Sequence, residues 1–371
     1  MDTAELEVIP LPGAPYERGR LHGQLLAARI HALLERWRGF LATAYGVDPG
    51  LYLRRFRAEF PFEATLQSIA PQVWHELRGI ADGSGATYDE VFAFQHINEE
   101  FELAPRFAAA RSAPGEACST IVAAPKAGRA ALVAQNLDLA EFLDGFQVMF
   151  RYPCDQSDGE ILALSVPGMI SLNGMNSHGL AVCDNALTDL RSSPTGVPVF
   201  ALYRMLLECR SLSQAVGVVR DTAPAAGLNW VMGDPDGVAM IERSAGRMEH
   251  HGPPDSGRPA CHTNHPIVCA DWRAGAASAA APSRSSHLRY AALQARLLAS
   301  DADLDVALAK AILSSTDDPD YPVSRGGGRN CLDHHIGFTL ASSVFELRPG
   351  EPLWHLAAGP PHRTAYKVFG F

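Results

Sequence analysis

The chain of 371 residues has no long apolar run. No stretch approaches the roughly 18–20 apolar residues that span a bilayer, so no membrane partner is expected. Blocks of a single charge are missing too. Lys and Arg number 31 against 41 Asp and Glu, and the net charge of −10 is dispersed without a basic stripe. Nucleic acid is therefore not an expected partner. The opening, MDTAELEVIPLPGAPYERGRLHGQ, has no basic stretch followed by an apolar one and does not read as a secretory signal. There is no disulfide framework either, since the seven cysteines (118, 154, 183, 209, 261, 269 and 331) are odd in number and scattered. That pattern fits reduced thiols in a cytoplasmic protein, most of them buried as small apolar side chains.

Metal and nucleotide frames are equally scarce. CHTNHP carries Cys261, His262 and His265, and CLDHH carries Cys331, His334 and His335, but the two segments lie 66 or more residues apart. Neither has a C-x2-C or H-E-x-x-H spacing. The GGG at 326–328 lacks the Lys-Ser/Thr of a phosphate loop. No metal and no cofactor are expected. A conventional hydrolase, using a metal or pairing Cys118 with His265 or His334, stays open as an alternative.

What the chain does have is core. Apolar residues make up 47% of it, enough for one large domain or two ordinary ones. The first third reads helical. YERGRLHGQLLAARIHALLERW sets Leu21, Leu25, Leu26, Ile30, Leu33, Leu34 and Trp37 on one face, and Gly19 and Gly23, four apart, would let another element approach closely. FPFEATLQSIAPQVWHELRGIADGSG and YDEVFAFQHINEEFE continue the pattern, and APRFAAARSAPGEA breaks it as a loop or linker. From Cys118 the texture changes to short β-rich runs, then two helices, strands joined through DPDG, two more helices, and a final strand pair. Sheets with helices on their outer faces are expected. AGAASAAAPSRSS reads as a low-complexity loop.

Cys118 stands where the texture breaks. A cysteine heading a strand is usually a core residue. Here its neighbours Ala117 and Ser119 are small, and the run AALVAQNLD returns Asn136 and Asp138 eighteen and twenty residues later, the length of a hairpin. Thr120, two residues on, points to the same strand face as Cys118.

These residues resemble the N-terminal nucleophile acyltransferases and amidohydrolases of the penicillin acyl-coenzyme A acyltransferase type, relatives of bile-salt hydrolases and penicillin V acylases. That family has a Cys-Ser/Thr-Thr run followed by QNxD about twenty residues on; here the two read CST and QNLD. PYERGRLHG, SLNGMNSHGLAV, ACHTNHP, HLRY and TLASSVFEL with GPPHRTAY match further segments in order. The resemblance implies an α+β fold, a four-layer αββα sandwich. It implies an inactive precursor that cuts itself before the cysteine, leaving residues 1–117 as a helical small chain or pro-segment and 118–371 as the catalytic large chain. The substrate would be a small amide or acyl thioester, with water or an amine as acceptor. Cys118 would be the nucleophile, Asp138 the acidic partner of its amine or thiol, and Asn264 the oxyanion donor. Thr120, Asn136, Asn176 and Arg289 would support substrate or oxyanion, and Ser286 would cap a helix. The family commonly has Gly before the cysteine; Ala117 is still small but tolerates fewer strained angles, so slower or incomplete cleavage is expected. An oligomer is left open, and so is a non-catalytic binding protein of the same fold.

Overall fold

The computed structural model describes residues 6–100, 117–252, 258–273, 284–299, 304–327 and 337–371. The linker up to residue 116, most of the low-complexity run and CLDHH lie outside the described residues.

Helix α1 (Pro15–Ala44) buries Leu26, Ile30, Leu33, Leu34 and Trp37 as its spacing predicts. Leu25, expected on that face, is 56% exposed. The buried stripe instead runs through Arg18, Gly19, His22 and Gly23. Backbone contact with α4 (Pro71–Ser84) explains the shift. A Cβ on Gly19 would stand 2.0 Å from the Glu76 carbonyl oxygen, and one on Gly23 would stand 2.4 Å from that of Ile80. Gly79 and Gly83 answer from α4, each 2.2 Å by the same measure from an α1 carbonyl. The glycine face thus meets α4, and Leu25 turns outward. Between them lie α2 (Pro49–Glu59) and α3 (Phe62–Ile69); α5 (Tyr88–Phe94) follows. Pro71 divides α3 from α4 because it pushes Ala70 out of the helical region, to φ −136 and ψ 57. Gly85, left-handed at φ +74, ends α4.

The strands form two sheets. One runs in the order β1 (Val8–Pro10), β4 (Val148–Pro153), β5 (Glu160–Ser165), β6 (Asn173–Asn176), β7 (Ala181–Ala186), β8 (Leu228–Asp234), β9 (Gly237–Arg243) and β10 (Met248–His250). Only β1 is parallel to its neighbour. The other runs β11 (Ala260–His262), β2 (Ser119–Ala123), β3 (Ala131–Leu139), β12 (Phe338–Leu347), β13 (Leu353–Ala357) and β14 (Lys367–Phe369). Every residue of β3 and of β8 is buried, because each strand has a sheet on one side and helices on the other. Thr120 and Gln135 of the second sheet bond Asn185 and Asn173 of the first across the interior, each at 2.8 Å. Helices α6 (Val199–Leu207) and α7 (Leu212–Asp221) cover the first sheet. Helices α8 (Arg284–Ala299) and α9 (Val306–Leu313) cover the second. The architecture is the expected αββα sandwich. Strands β1, β6 and β14, of three or four residues, are too short to show alternation in the sequence.

Six cysteines among the described residues are free and buried. No described helix is long and apolar enough to cross a membrane.

A buried ionic cluster joins the N-terminal helices to the sandwich. Arg18 Nε donates to Glu76 at 2.9 Å, and its two terminal nitrogens reach Asp155 at 3.0 and 2.8 Å. Arg204 of α6 lies 3.2 Å from both carboxylates and over the Tyr152 ring. Removing one partner strands the other charges in the interior, which costs about 3–5 kcal/mol. Glu76→Ala is therefore expected to lower stability by that amount in urea unfolding. Asp158→Ala, which breaks an exposed pair with Arg210, should leave the midpoint unchanged. Equal effects from the two would contradict the assignment.

Candidate active site

The β2–β3 hairpin pairs Ser119 with Asn136, so Cys118 lies beside Leu137 and Asp138. Its Sγ is 4.0 Å from the Asp138 carbonyl oxygen, and the residue is 1% exposed. The twenty-residue spacing does what the sequence implied, and Asp138 returns next to the cysteine.

Arg289 of α8 is fully buried and reaches across to this point. Nη1 donates to the Cys118 carbonyl at 2.7 Å and to Ser119 Oγ at 2.9 Å. Nη2 donates to Asn264 Oδ1 at 3.1 Å, and Nε to Ser285 Oγ, one helical turn back, at 3.3 Å. Asn264 is held at its backbone as well, its N–H donating to Ser286 Oγ at 2.8 Å. Its Nδ2 donates to the Ala186 carbonyl at 3.2 Å. Ser286 is therefore not a simple cap. Helix α8 already begins at Arg284, and the Ser286 hydroxyl ties down Thr263, Asn264 and His265. The following turn is anchored by Glu242, whose carboxylate accepts from the N–H groups of Ile267, Val268 and Cys269 and pairs with His262 at 2.8 Å. Burial pushes the Glu242 carboxyl up, but the His262 bond and these N–H groups outweigh it and hold the group below the usual range.

Asp138 is fully buried. Its Oδ1 accepts from Thr339 Oγ1 at 2.7 Å, and that hydroxyl accepts from the Arg325 N–H at 2.9 Å. Its Oδ2 has no partner among the described residues. Burial pushes its pKa up to about 6, against the pull of Arg325, Arg289 and the Thr339 hydrogen bond. Gly337, at φ +78, is packed into this corner. A Cβ there would meet the Cβ atoms of Ala117 and Asp138 at 3.3 and 3.4 Å and Arg325 Nε at 3.5 Å. Thr339 heads the TLASSVFEL segment of the resemblance, whereas Arg325 and Gly337 carry no comparable sequence signal.

Ala117, Cys118, Asp138, Asn264 and Arg289 thus come together; three other candidates do not join them. Thr120 donates to Asn185 and ties the sheets. Asn136 donates to the carbonyls of Leu313 and Val323 at 2.8 and 2.9 Å, tethering α9 and the segment after it. Asn176 ends β6. Its Nδ2 binds the Leu207 and Cys209 carbonyls at the end of α6, and its Oδ1 accepts from the N–H groups of His178 and Leu180. That leaves the Asn176 amide fully committed to structure. His265 is held by Ser286 and stacked on His287, and burial pushes it down to about 4. Among the described residues no group of three His, Cys, Asp or Glu is arranged to hold a metal ion.

The family model of acyl-coenzyme A:6-aminopenicillanic acid acyl-transferase matches residues 125–357. The chain belongs to this family. It is thereby an enzyme of the hydrolase and acyltransferase type. It is 26% identical to the acyl-coenzyme A:6-aminopenicillanic-acid-acyltransferase 40 kDa form of Emericella nidulans, over 69% of this chain and 68% of that one. It is 22% identical to an uncharacterized protein of Archaeoglobus fulgidus over 63% of this chain, and spans less than half, 43%, of that relative's length. Among solved structures, conjugated bile acid hydrolase from Clostridium perfringens aligns with 13% identity and a TM-score of 0.44, covering 68% of this chain and 96% of that one. Penicillin V acylase from Agrobacterium tumefaciens aligns with 16% identity and a TM-score of 0.44, covering 68% and 85%.

The Asp138 environment has a measurable consequence. Its folded pKa of about 6 lies above the ordinary 3.8, so between those values the folded chain holds a proton that the unfolded chain releases. The stability this group contributes is present below pH 3.8 and is lost as pH rises through 6. In Asp138→Asn that loss should vanish. The difference in thermal midpoint between uncut chains, Cys118→Ala/Asp138→Asn minus Cys118→Ala, is expected to grow from pH 4 to pH 7. A difference independent of pH would contradict the burial argument.

Proposed function

We propose that the chain cleaves itself between Ala117 and Cys118 and then acts as a cysteine amidohydrolase or acyltransferase on amides or acyl thioesters. The observation that carries this reading is the Arg289 guanidinium, which holds the Cys118 carbonyl and the Asn264 side chain together while Asp138 lies alongside the cysteine. The family match begins at residue 125, so the choice of nucleophile rests on the surroundings of Cys118 itself.

In self-cleavage the Cys118 thiol attacks the Ala117 carbonyl carbon. The C–N bond breaks, the acyl group moves to sulfur, and the α-amine of Cys118 is released with the proton that the thiol gave up. Water then opens the thioester, leaving Ala117 with a carboxylate and Cys118 with a free thiol. Residues 1–117 become the small chain and 118–371 the large chain. The Arg18–Glu76–Asp155–Arg204 cluster keeps the two associated. An α-amine has a pKa of about 7.7–8.0, which suits it as a base near neutrality. Asp138 Oδ2, which has no partner among the described residues, is a natural acceptor for the new ammonium.

In turnover the amine takes the thiol proton, sulfur attacks the substrate carbonyl, and the oxyanion needs preorganised donors. Asn264 Nδ2 carries two hydrogens, of which Ala186 takes one. The leaving amine or thiol departs with the proton held by the α-amine, and water or an amine releases the acyl group. The free, buried cysteines fit a reducing compartment such as the cytoplasm.

N-terminal sequencing of the larger piece of purified protein should read CSTIV. Cys118→Ala should give an uncut, inactive chain, whereas Cys154→Ala and Cys209→Ala stay active. Retained amidase activity in Cys118→Ala, or a different start, would overturn the reading. Asn264→Ala is expected to lower turnover per cleaved molecule by about 10²–10³. Asn176→Ala, by contrast, should lower the thermal midpoint without lowering that turnover.

A further inference from the structure

His265 enters the sequence as a possible partner of Cys118, and the steps above give it no part. Two rings of α8 hold its imidazole. His287 stacks on it with centroids 3.8 Å apart and planes 23° apart, and Tyr290 meets it edge-on at 5.3 Å. A third contact with α8 is polar, because Nδ1 lies 2.8 Å from Ser286 Oγ. That nitrogen is engaged by Ser286 rather than by the thiol.

Ser286 Oγ is a meeting point. It accepts from the Asn264 N–H at 2.8 Å, faces His265 Nδ1 at 2.8 Å and lies 2.9 Å from Thr263 Oγ1. A hydroxyl has one proton and two acceptor sites, so its rotation decides which neighbour is satisfied. Thr263 Oγ1 donates to the Ser286 carbonyl at 3.0 Å. With Thr263 so engaged, the Ser286 proton can point at His265 Nδ1, which leaves an Oγ lone pair for the Asn264 N–H. The imidazole suits that task. Burial pushes it down to about 4, and the charges of His287, His262 and Arg289 add to the effect. It is therefore neutral at pH 7, and a neutral ring has one nitrogen that accepts.

The rotation of one hydroxyl matters because of what Asn264 does. Arg289 holds its Oδ1, Ala186 takes one hydrogen of its Nδ2, and Ser286 holds its backbone. These three contacts aim the second Nδ2 hydrogen. We propose that His265 is a positioning residue for acyl transfer: by accepting the Ser286 proton it fixes that hydroxyl as the acceptor for the Asn264 N–H, and so sets the direction of the Asn264 amide. It acts through Ser286 and Asn264 and not on the reacting atoms. The inference rests on the reading of Asn264 as oxyanion donor in the chemistry of Cys118, and the experiment separates the two.

Two variants divide the side chain into its parts. His265→Phe keeps a ring for His287 and Tyr290 and removes the nitrogen. His265→Asn removes the ring and keeps an acceptor near the position of Nδ1. Matured wild type and both variants are compared in turnover of S-phenyl thiobutanoate and in hydrogen exchange of the Asn264 amide by NMR. In His265→Phe, kcat is expected to fall by up to about 10²-fold with KM nearly unchanged, as a misaimed donor would give. The Asn264 amide should exchange about fivefold faster there. His265→Asn should stay close to wild type in both. A ring that served packing alone would reverse the order, leaving His265→Phe active and His265→Asn impaired. That reversal, or wild-type exchange and turnover in both variants, would overturn the proposal. Faster exchange in His265→Phe with unchanged kcat would leave the positioning standing and refute Asn264 as the oxyanion donor. The same exchange pattern with no thioester turnover in wild type would refute the Cys118 reading. Where His265→Phe does not fold, His265→Asn decides alone, since loss of turnover in it contradicts the proposal and wild-type turnover supports it.

Discussion

The Arg289 guanidinium is the constraint on which the site depends. It is fully buried, and a charge removed from water must be met on all sides. Its planar fork answers that need with the Cys118 carbonyl, Ser119, Asn264 and Ser285. Those four groups belong to the start of β2, the turn after β11 and the first turn of α8. Satisfying one side chain therefore fixes three elements relative to one another. Lysine would not substitute, since an ammonium has three donors at one point and no fork.

The rest of the sandwich supports that arrangement. The polar contacts between the sheets, Thr120 with Asn185 and Gln135 with Asn173, keep β2 and β3 in register over β7 and β6. Glu242 holds the Ile267–Cys269 turn through three backbone N–H groups, and so sets where Asn264 stands. On the far side, the glycine contact between α1 and α4 lets Arg18 and Glu76 sit within one ionic cluster with Asp155 and Arg204. Breaking the chain at Ala117 would remove a covalent link but none of these contacts.

Much of this is legible in the sequence wherever the information is local. Hairpin length returns Asp138 to Cys118, glycines four apart mark the α1–α4 contact, the alternation of textures gives sheets with helices on their outer faces, and the resemblance supplies the four layers. Motif resemblance adds Asn264 and Arg289, and the fold brings both to Cys118. Asn136 and Asn176 share the same residue type and similar local settings, yet their amides go to carbonyls of α9 and α6, which only tertiary packing supplies. Thr339 and Arg325 reach Asp138 from about two hundred residues away, and neither local pattern nor spacing ties them to it.

That the acyl group is carried on Cys118 is tested most directly by trapping it. Matured protein is mixed with an excess of a reactive acyl thioester, quenched in acid within one turnover, digested and mapped by peptide mass. The acyl mass is expected on the peptide that begins at Cys118, on sulfur, and hydroxylamine should remove it. Product formation with no acylated peptide, or with the acyl group on any other residue, would contradict the mechanism.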